Sequence, residues 1–174
     1  MSAAVWLVLT ILILANAIYV AGEFGAVGVR RSRVRRMSDD GHWLARRLLP
    51  FVDDAAQLDT YVAVSQVGIT LSSLILGAYA QASIAPKFAP LIQRVGGMEA
   101  ATAESTSAVV VLLILTTLAM IVGELVPKSL ALNDPTRTAM WTVIPLQWSL
   151  RGFARSIDFL DGSGIDCENG VAVD

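Results

Sequence analysis

Charged residues avoid three long stretches of the chain. Residues 1–22 carry no charge, and Trp6 through Val20 are almost wholly apolar. At about 1.5 Å per residue such a segment crosses a hydrocarbon core of about 30 Å. Charge is missing again from Thr60 to Pro86 and from Ser105 to Gly123. The pattern therefore predicts three membrane-spanning helices, over about 3–28, 58–82 and 104–123. The first has no positive segment before it and its basic residues follow the apolar run, the reverse of a signal peptide, so it is read as a span rather than a cleaved leader.

A fourth apolar stretch, Thr138 to Leu150, contains Pro145 and is flanked by Arg137 and Arg151. It is too short to cross. Trp141 and Trp148 share one helical face, which predicts an amphipathic juxtamembrane belt helix over about 134–152, lying in the headgroup layer. Beyond it, Gly162, Gly164, Gly170 and several acids replace any helical apolar period, and 156–174 reads as an acidic linker or tail. The expected fold is thus all-α and integral to the membrane, with a transmembrane domain over 1–155.

Composition narrows the classes further. Of 174 residues, 55% are hydrophobic and 16% charged, and the mean hydropathy is +0.61; a soluble domain carries about 25% charged residues. The net charge of −2 argues against a basic nucleic-acid-binding domain. A single Cys (Cys167) and a single His (His42) exclude an intramolecular disulfide, a Cys/His zinc site and any catalytic set that needs two histidines. With no dinucleotide, P-loop, hydrolase or HExxH pattern present, no enzymatic reaction is expected.

Basic residues set the expected orientation. With the N-terminus outside, Arg30, Arg31, Arg33, Arg35, Arg36, Arg46, Arg47, Lys128, Arg137, Arg151 and Arg155 face the cytoplasm, and only Lys87 and Arg94 face out. That asymmetry predicts a multi-pass protein of the plasma or inner membrane, N-terminus out and C-terminus in. The cluster from Arg30 to Arg36 reads most simply as a topology anchor touching anionic lipid.

Residues that hydrocarbon should reject point to the chemistry. In span one, Asn16, Tyr19 and Glu23 fall on one face; in span two, Ser65, Gly68 and Ser72 do, with Gln66 and Ser73 beside them. Span three ends in Gly123-Glu124, followed by Pro127, which removes an amide donor and frees the Gly123 carbonyl beside the Glu124 carboxylate. Counted from the cytoplasmic ends, Glu23 and Glu124 lie near the boundary, Asn16 and Ser65 roughly 7–10 Å deep and Ser72 roughly 18 Å deep, at about 1.5 Å per residue. Carboxylate, amide and hydroxyl oxygens without thiolate or imidazole suit a hard cation such as Mg²⁺. The candidate ligands are Asn16, Ser65, Ser72, Ser73, Gly123 and Glu124. The competing readings are close helix packing for each Ser and Gly, a boundary ion pair with Arg30 or Arg31 for Glu23, and snorkelling to the headgroups for Lys128.

The same residues resemble a known family. Asn16-Ala-Ile-Tyr-Val-Ala-Gly-Glu23-Phe with Val29-Arg-Arg-Ser-Arg33, then Ser65-Gln-Val-Gly-Ile-Thr-Leu71, then Gly123-Glu-Leu-Val-Pro-Lys-Ser-Leu-Ala-Leu132 are similar, in order, to the three helix motifs of the CorC/CNNM magnesium transporters. The resemblance covers about residues 5–155. It implies a homodimer of three-span subunits with a belt helix, moving Mg²⁺ with Na⁺ as coupling ion, and a dehydrated Mg²⁺ in the inner half of the membrane. Val20, Gln81 and Ala119 stand where relatives often carry Ser, Glu and His. Cytosolic CBS domains, usual in the family, are not present in this sequence. The rival function is a membrane-embedded regulatory or interaction module that binds Mg²⁺ or a partner without transporting it.

Overall fold

The computed structural model describes residues 3–97 and 99–163, all of them in helices or the short turns that join them. The first span is α1, Ala3–Gly28. Two short helices follow, α2 (Arg31–Asp39) and α3 (Trp43–Asp53), folded back on each other at Gly41, whose φ of 93° favours a residue without Cβ. The second span, α4, runs from Ala55 to Ser83 and is capped by Asp54, whose carboxylate accepts from the Ala56 amide at 3.0 Å.

An amphipathic helix that the hydropathy pattern leaves unmarked, α5 (Ala85–Gly96), connects the second span to the third. Its start is tied to the third span by the Ser107 hydroxyl, which donates to the Ala85 carbonyl at 2.5 Å. The third span opens as α6, Ala100–Met120, widens into a π-helical turn over Ile121–Leu125, and continues as α7, Val126–Asn133. Among the described residues three helices are long and apolar enough to cross a membrane: Ala3–Gly28, Ala55–Ser83 and Ala100–Asn133.

Two boundaries differ from the sequence expectation. The third helix does not end at Gly123; Pro127 loosens it into a π turn, the Val126 amide donates to the Ile121 carbonyl, and helix resumes at once. The last helix, α8, runs from Pro135 to Ser163, past the 152 at which the apolar pattern stops. Backbone hydrogen bonds need no amphipathic period, so a polar helix can continue where the hydrophobic signal fades. The remainder of the expected acidic tail, 164–174, lies outside the described residues.

Packing centres on α1, which lies against α4 on one side and α8 on another. Small residues on α1 permit the second contact. A Cβ on Gly25 would come within 2.9 Å of the Ala139 amide nitrogen, and one on Gly22 within 2.8 Å of Leu146. Tyr19 then hydrogen-bonds Ser149 at 2.6 Å. Three apolar cores result among the described residues. Val5, Leu9, Leu76 and Val111 pack at the far end of the spans, Tyr61 and Leu146 join α4 to α8, and Val34, Leu48, Val52 and Val143 hold α2, α3 and α8 together. Much of the remaining surface is apolar: Leu74, Leu113 and Ile114 are exposed, as are Trp141 and Trp148 on α8. Such a surface belongs in lipid or against another subunit rather than in water.

Candidate functional site

The π turn of the third span lies against Asn16 of α1. Asn16 Nδ2 donates to the Gly123 carbonyl at 3.3 Å, the carbonyl that Pro127 deprives of its helical partner. On its other side Asn16 Oδ1 accepts from Ser72 Oγ at 2.9 Å and from Ser73 Oγ at 3.4 Å. One amide thus joins all three spans. Asn16 is only 2% exposed and Ser72 6%. Gly123 has no room for a side chain, because a Cβ there would stand 2.9 Å from Asn16 Nδ2.

The Ser72 hydroxyl also lies 2.8 Å from the Gly68 carbonyl and 3.0 Å from that of Ile69. A hydroxyl has one proton, so its contacts with three carbonyl oxygens are alternatives. The cluster carries more oxygen lone pairs than protons to satisfy them, the balance a hard cation requires.

Of the six residues singled out from sequence, the structure joins Asn16, Ser72, Ser73 and Gly123 directly. Ser65 is fully buried, but its hydroxyl donates to the Tyr61 carbonyl of its own helix at 2.8 Å. Glu124 stands apart from the hydrogen-bonded group. Its side chain is exposed and lines a cleft of about 250 Å³ between α4 and α6 with Ser73, Gly77, Thr116 and Met120. Ser73 belongs to both the cleft and the Asn16 cluster. Among the described residues no three His, Cys, Asp or Glu side chains gather as a metal cage, so any cation here would be held mainly by neutral oxygens.

Three sequence expectations need correction. The Gly123 carbonyl is not free, since Asn16 occupies it. Glu124 is not at a helix end: Gly123 lies against Asn16, two turns along α1 from Glu23, and α7 continues beyond it. The sequence places the end there because Pro127 removes an amide donor, but the helix resumes as α7. Lys128 is exposed and places Nζ 4.4 Å from the Phe24 ring centroid, a cation–π contact between α7 and α1. Glu23 faces Gln66, whose Nε2 donates to its carboxylate at 3.5 Å, and among the described residues the one ion pair is Arg35 with Asp53. Close helix packing, the competing reading for each Gly, holds at Gly68. A Cβ there would fall within 2.5 Å of the Tyr19 ring, whereas one at Gly77 would meet nothing nearer than Leu112 at 4.0 Å.

These features define an α-helical, three-span membrane protein whose spans meet at a buried cluster of neutral oxygens. Residues 7–161 match the cyclin M transmembrane N-terminal domain, CNNM, and the chain belongs to that family. It is 33% identical over 158 residues to UPF0053 protein YhdT of Bacillus subtilis, which covers 83% of this chain and 33% of that protein. With an uncharacterised protein of Mycobacterium tuberculosis it shares 34% identity over 135 residues, 78% of this chain and 37% of that one. UPF0053 protein YugS of B. subtilis is 29% identical over 153 residues, 88% and 35% of the two chains. The chain spans about a third of the length of these relatives. The CorC/CNNM resemblance carried by the three helix motifs is thereby borne out.

Proposed function

We propose that the chain is the membrane part of a divalent-cation transporter that moves Mg²⁺ across the plasma membrane, coupled to Na⁺, as a homodimer with its N-terminus outside. The observation that supports this most directly is the Asn16 amide, held between Ser72, Ser73 and the Gly123 carbonyl where three spans converge. Mg²⁺ takes about six oxygens at about 2.0–2.1 Å and gives up water reluctantly. Rotation of Asn16 would release the Gly123 carbonyl and turn Oδ1 toward it, bringing amide, carbonyl and hydroxyl oxygens to one point. Glu124, in the cleft that Ser73 borders, supplies the negative charge that offsets the ion's lost hydration. A carboxylate exposed on a lipid-facing cleft is costly to leave uncovered. A second subunit closing the cleft between α4 and α6 would cover it and complete the path.

The self-satisfied hydrogen bonds of the cluster favour a second reading, a packing knot in a regulatory module that binds the ion without moving it. Mg²⁺ binding and liposome flux on the same preparations separate the two. Glu124→Gln keeps size and a carbonyl oxygen but removes charge. It should lower both Mg²⁺ binding and flux at least tenfold, with Asn16→Ala and Ser72→Ala acting in the same direction more mildly. Binding without flux in the parent protein would select the regulatory module. Parent-like flux in Glu124→Gln would remove Glu124 from the site.

A further inference from the structure

The arginines that follow the first span form a cleft that neither the oxygen cluster nor the ion path uses. Arg31, Ser32, Arg35 and Arg36 of α2 line it together with Asp39 and with Asp53 at the end of α3, around a space of about 410 Å³. Two of the guanidinium groups are fixed from behind. Arg35 Nη2 reaches both carboxylate oxygens of Asp53 at 2.7 Å, and Arg31 Nη1 donates to the Asp53 backbone carbonyl at 3.4 Å. Arg36 has no side-chain hydrogen bond or ion pair among the described residues. A preorganised wall carrying one unengaged planar fork is suited to phosphate oxygens, which guanidinium binds in a bidentate manner.

Position identifies the source of the phosphate. The cleft opens three residues after α1 ends at Gly28, so it sits at the end of a membrane span. The neighbouring helices carry exposed tryptophans, Trp43 on α3 at 56% and Trp141 on α8 at 71%. Indoles prefer the headgroup layer, and the core of Val34, Leu48, Val52 and Val143 fastens α2, α3 and α8 into one unit at that level. Arg30 and Arg33 add positive field along the same segment.

We propose that this cleft is a binding site for the phosphate of an anionic membrane lipid, with Arg36 as the group that engages it and Arg31 and Arg35 as its fixed wall. The Asp39 carboxylate on the rim accepts from a hydroxyl of the headgroup, which favours a glycerol headgroup over choline. The bound lipid bridges the end of α1 to the α2–α3 unit.

The test titrates phosphatidylglycerol and phosphatidylcholine separately into the purified, delipidated full chain and counts bound lipid by native mass spectrometry. Phosphatidylglycerol should bind more tightly than phosphatidylcholine. Arg36→Gln, which leaves the Arg35–Asp53 pair intact, should weaken it about fivefold, the effect of one basic side chain at an anionic surface. Arg36→Lys should lose less, and Arg94→Gln, on α5, nothing. Equal binding of the two lipids, or an Arg36→Gln protein that holds phosphatidylglycerol like the parent, would overturn the proposal. Displacement of bound phosphatidylglycerol by an equal concentration of inorganic phosphate would overturn the lipid assignment and show a site for a soluble phosphate.

Discussion

Asn16 Nδ2 donates to the backbone carbonyl of Gly123 at 3.3 Å, across 107 residues of chain. The bond exists because Pro127 cannot supply the amide that would otherwise approach that carbonyl, and because Gly123 presents no Cβ to hold Asn16 away. A span interrupted by a π turn is tolerated in lipid only where a neighbouring group satisfies the freed backbone. Asn16 is that neighbour, and the same amide anchors the two serines of α4.

Gly123→Ala tests this contact. The added methyl would stand 2.9 Å from Asn16 Nδ2, and overpacking of this kind costs about 1–3 kcal/mol. Thermal unfolding in detergent should shift down accordingly. The double variant Gly123→Ala/Asn16→Ala should regain stability, since the clash is relieved, yet fail to regain Mg²⁺ flux. A double variant that transports like the parent would show that Asn16 serves packing alone.

Glu23→Gln should leave stability within about 0.5 kcal/mol, the range for a change that breaks no ion pair, because the partner of Glu23 is Gln66 and not an arginine. Mg²⁺ flux should nevertheless fall, since Glu23 carries a charge on the face of α1 that also holds Asn16. Unchanged flux together with a clear loss of stability would make Glu23 a structural residue.

Gly25→Ala and Gly77→Ala form a matched pair. At position 25 the new methyl meets the backbone nitrogen of Ala139 at 2.9 Å, an atom that cannot move without shifting α8; at 77 it meets only the end of Leu112 at 4.0 Å. Thermal unfolding should show Gly25→Ala clearly destabilised and Gly77→Ala equal to the parent or slightly more stable, as alanine favours helix. Equal behaviour of the two would mean that α8 does not press on α1 in the membrane.

Topology can be read by labelling single cysteines in a Cys167-free background. The basic asymmetry predicts that a cysteine at position 90, in α5, reacts with impermeant reagent from outside, and one at position 40, between α2 and α3, only from the cytoplasm. The reverse pattern would invert the membrane orientation and place the arginine cleft outside.

Helix existence and membrane residence were legible along the chain because both depend on composition over windows of about 20 residues, which the hydrocarbon thickness imposes. The charge-free runs therefore located the first two spans to within a few residues and the start of the third, and the paired tryptophans located the first half of α8, while the ends of the third span and of α8 ran about ten residues further. Asn16, Ser72, Ser73 and Gly123 also stood out, since polar groups in apolar stretches are costly wherever they occur. Their partners were not legible. A periodicity places residues on a face of one helix but does not say which neighbour that face meets. So Tyr19 and Asn16, on the same face of α1, turn to α8 and to the π turn respectively. Only the packed bundle decided that Gly68 makes room for Tyr19 while Gly77 opens onto a cleft, and that Lys128 lies over Phe24. Those choices follow from the approach distance of pairs of helices, which long-range contacts set and no local stretch encodes.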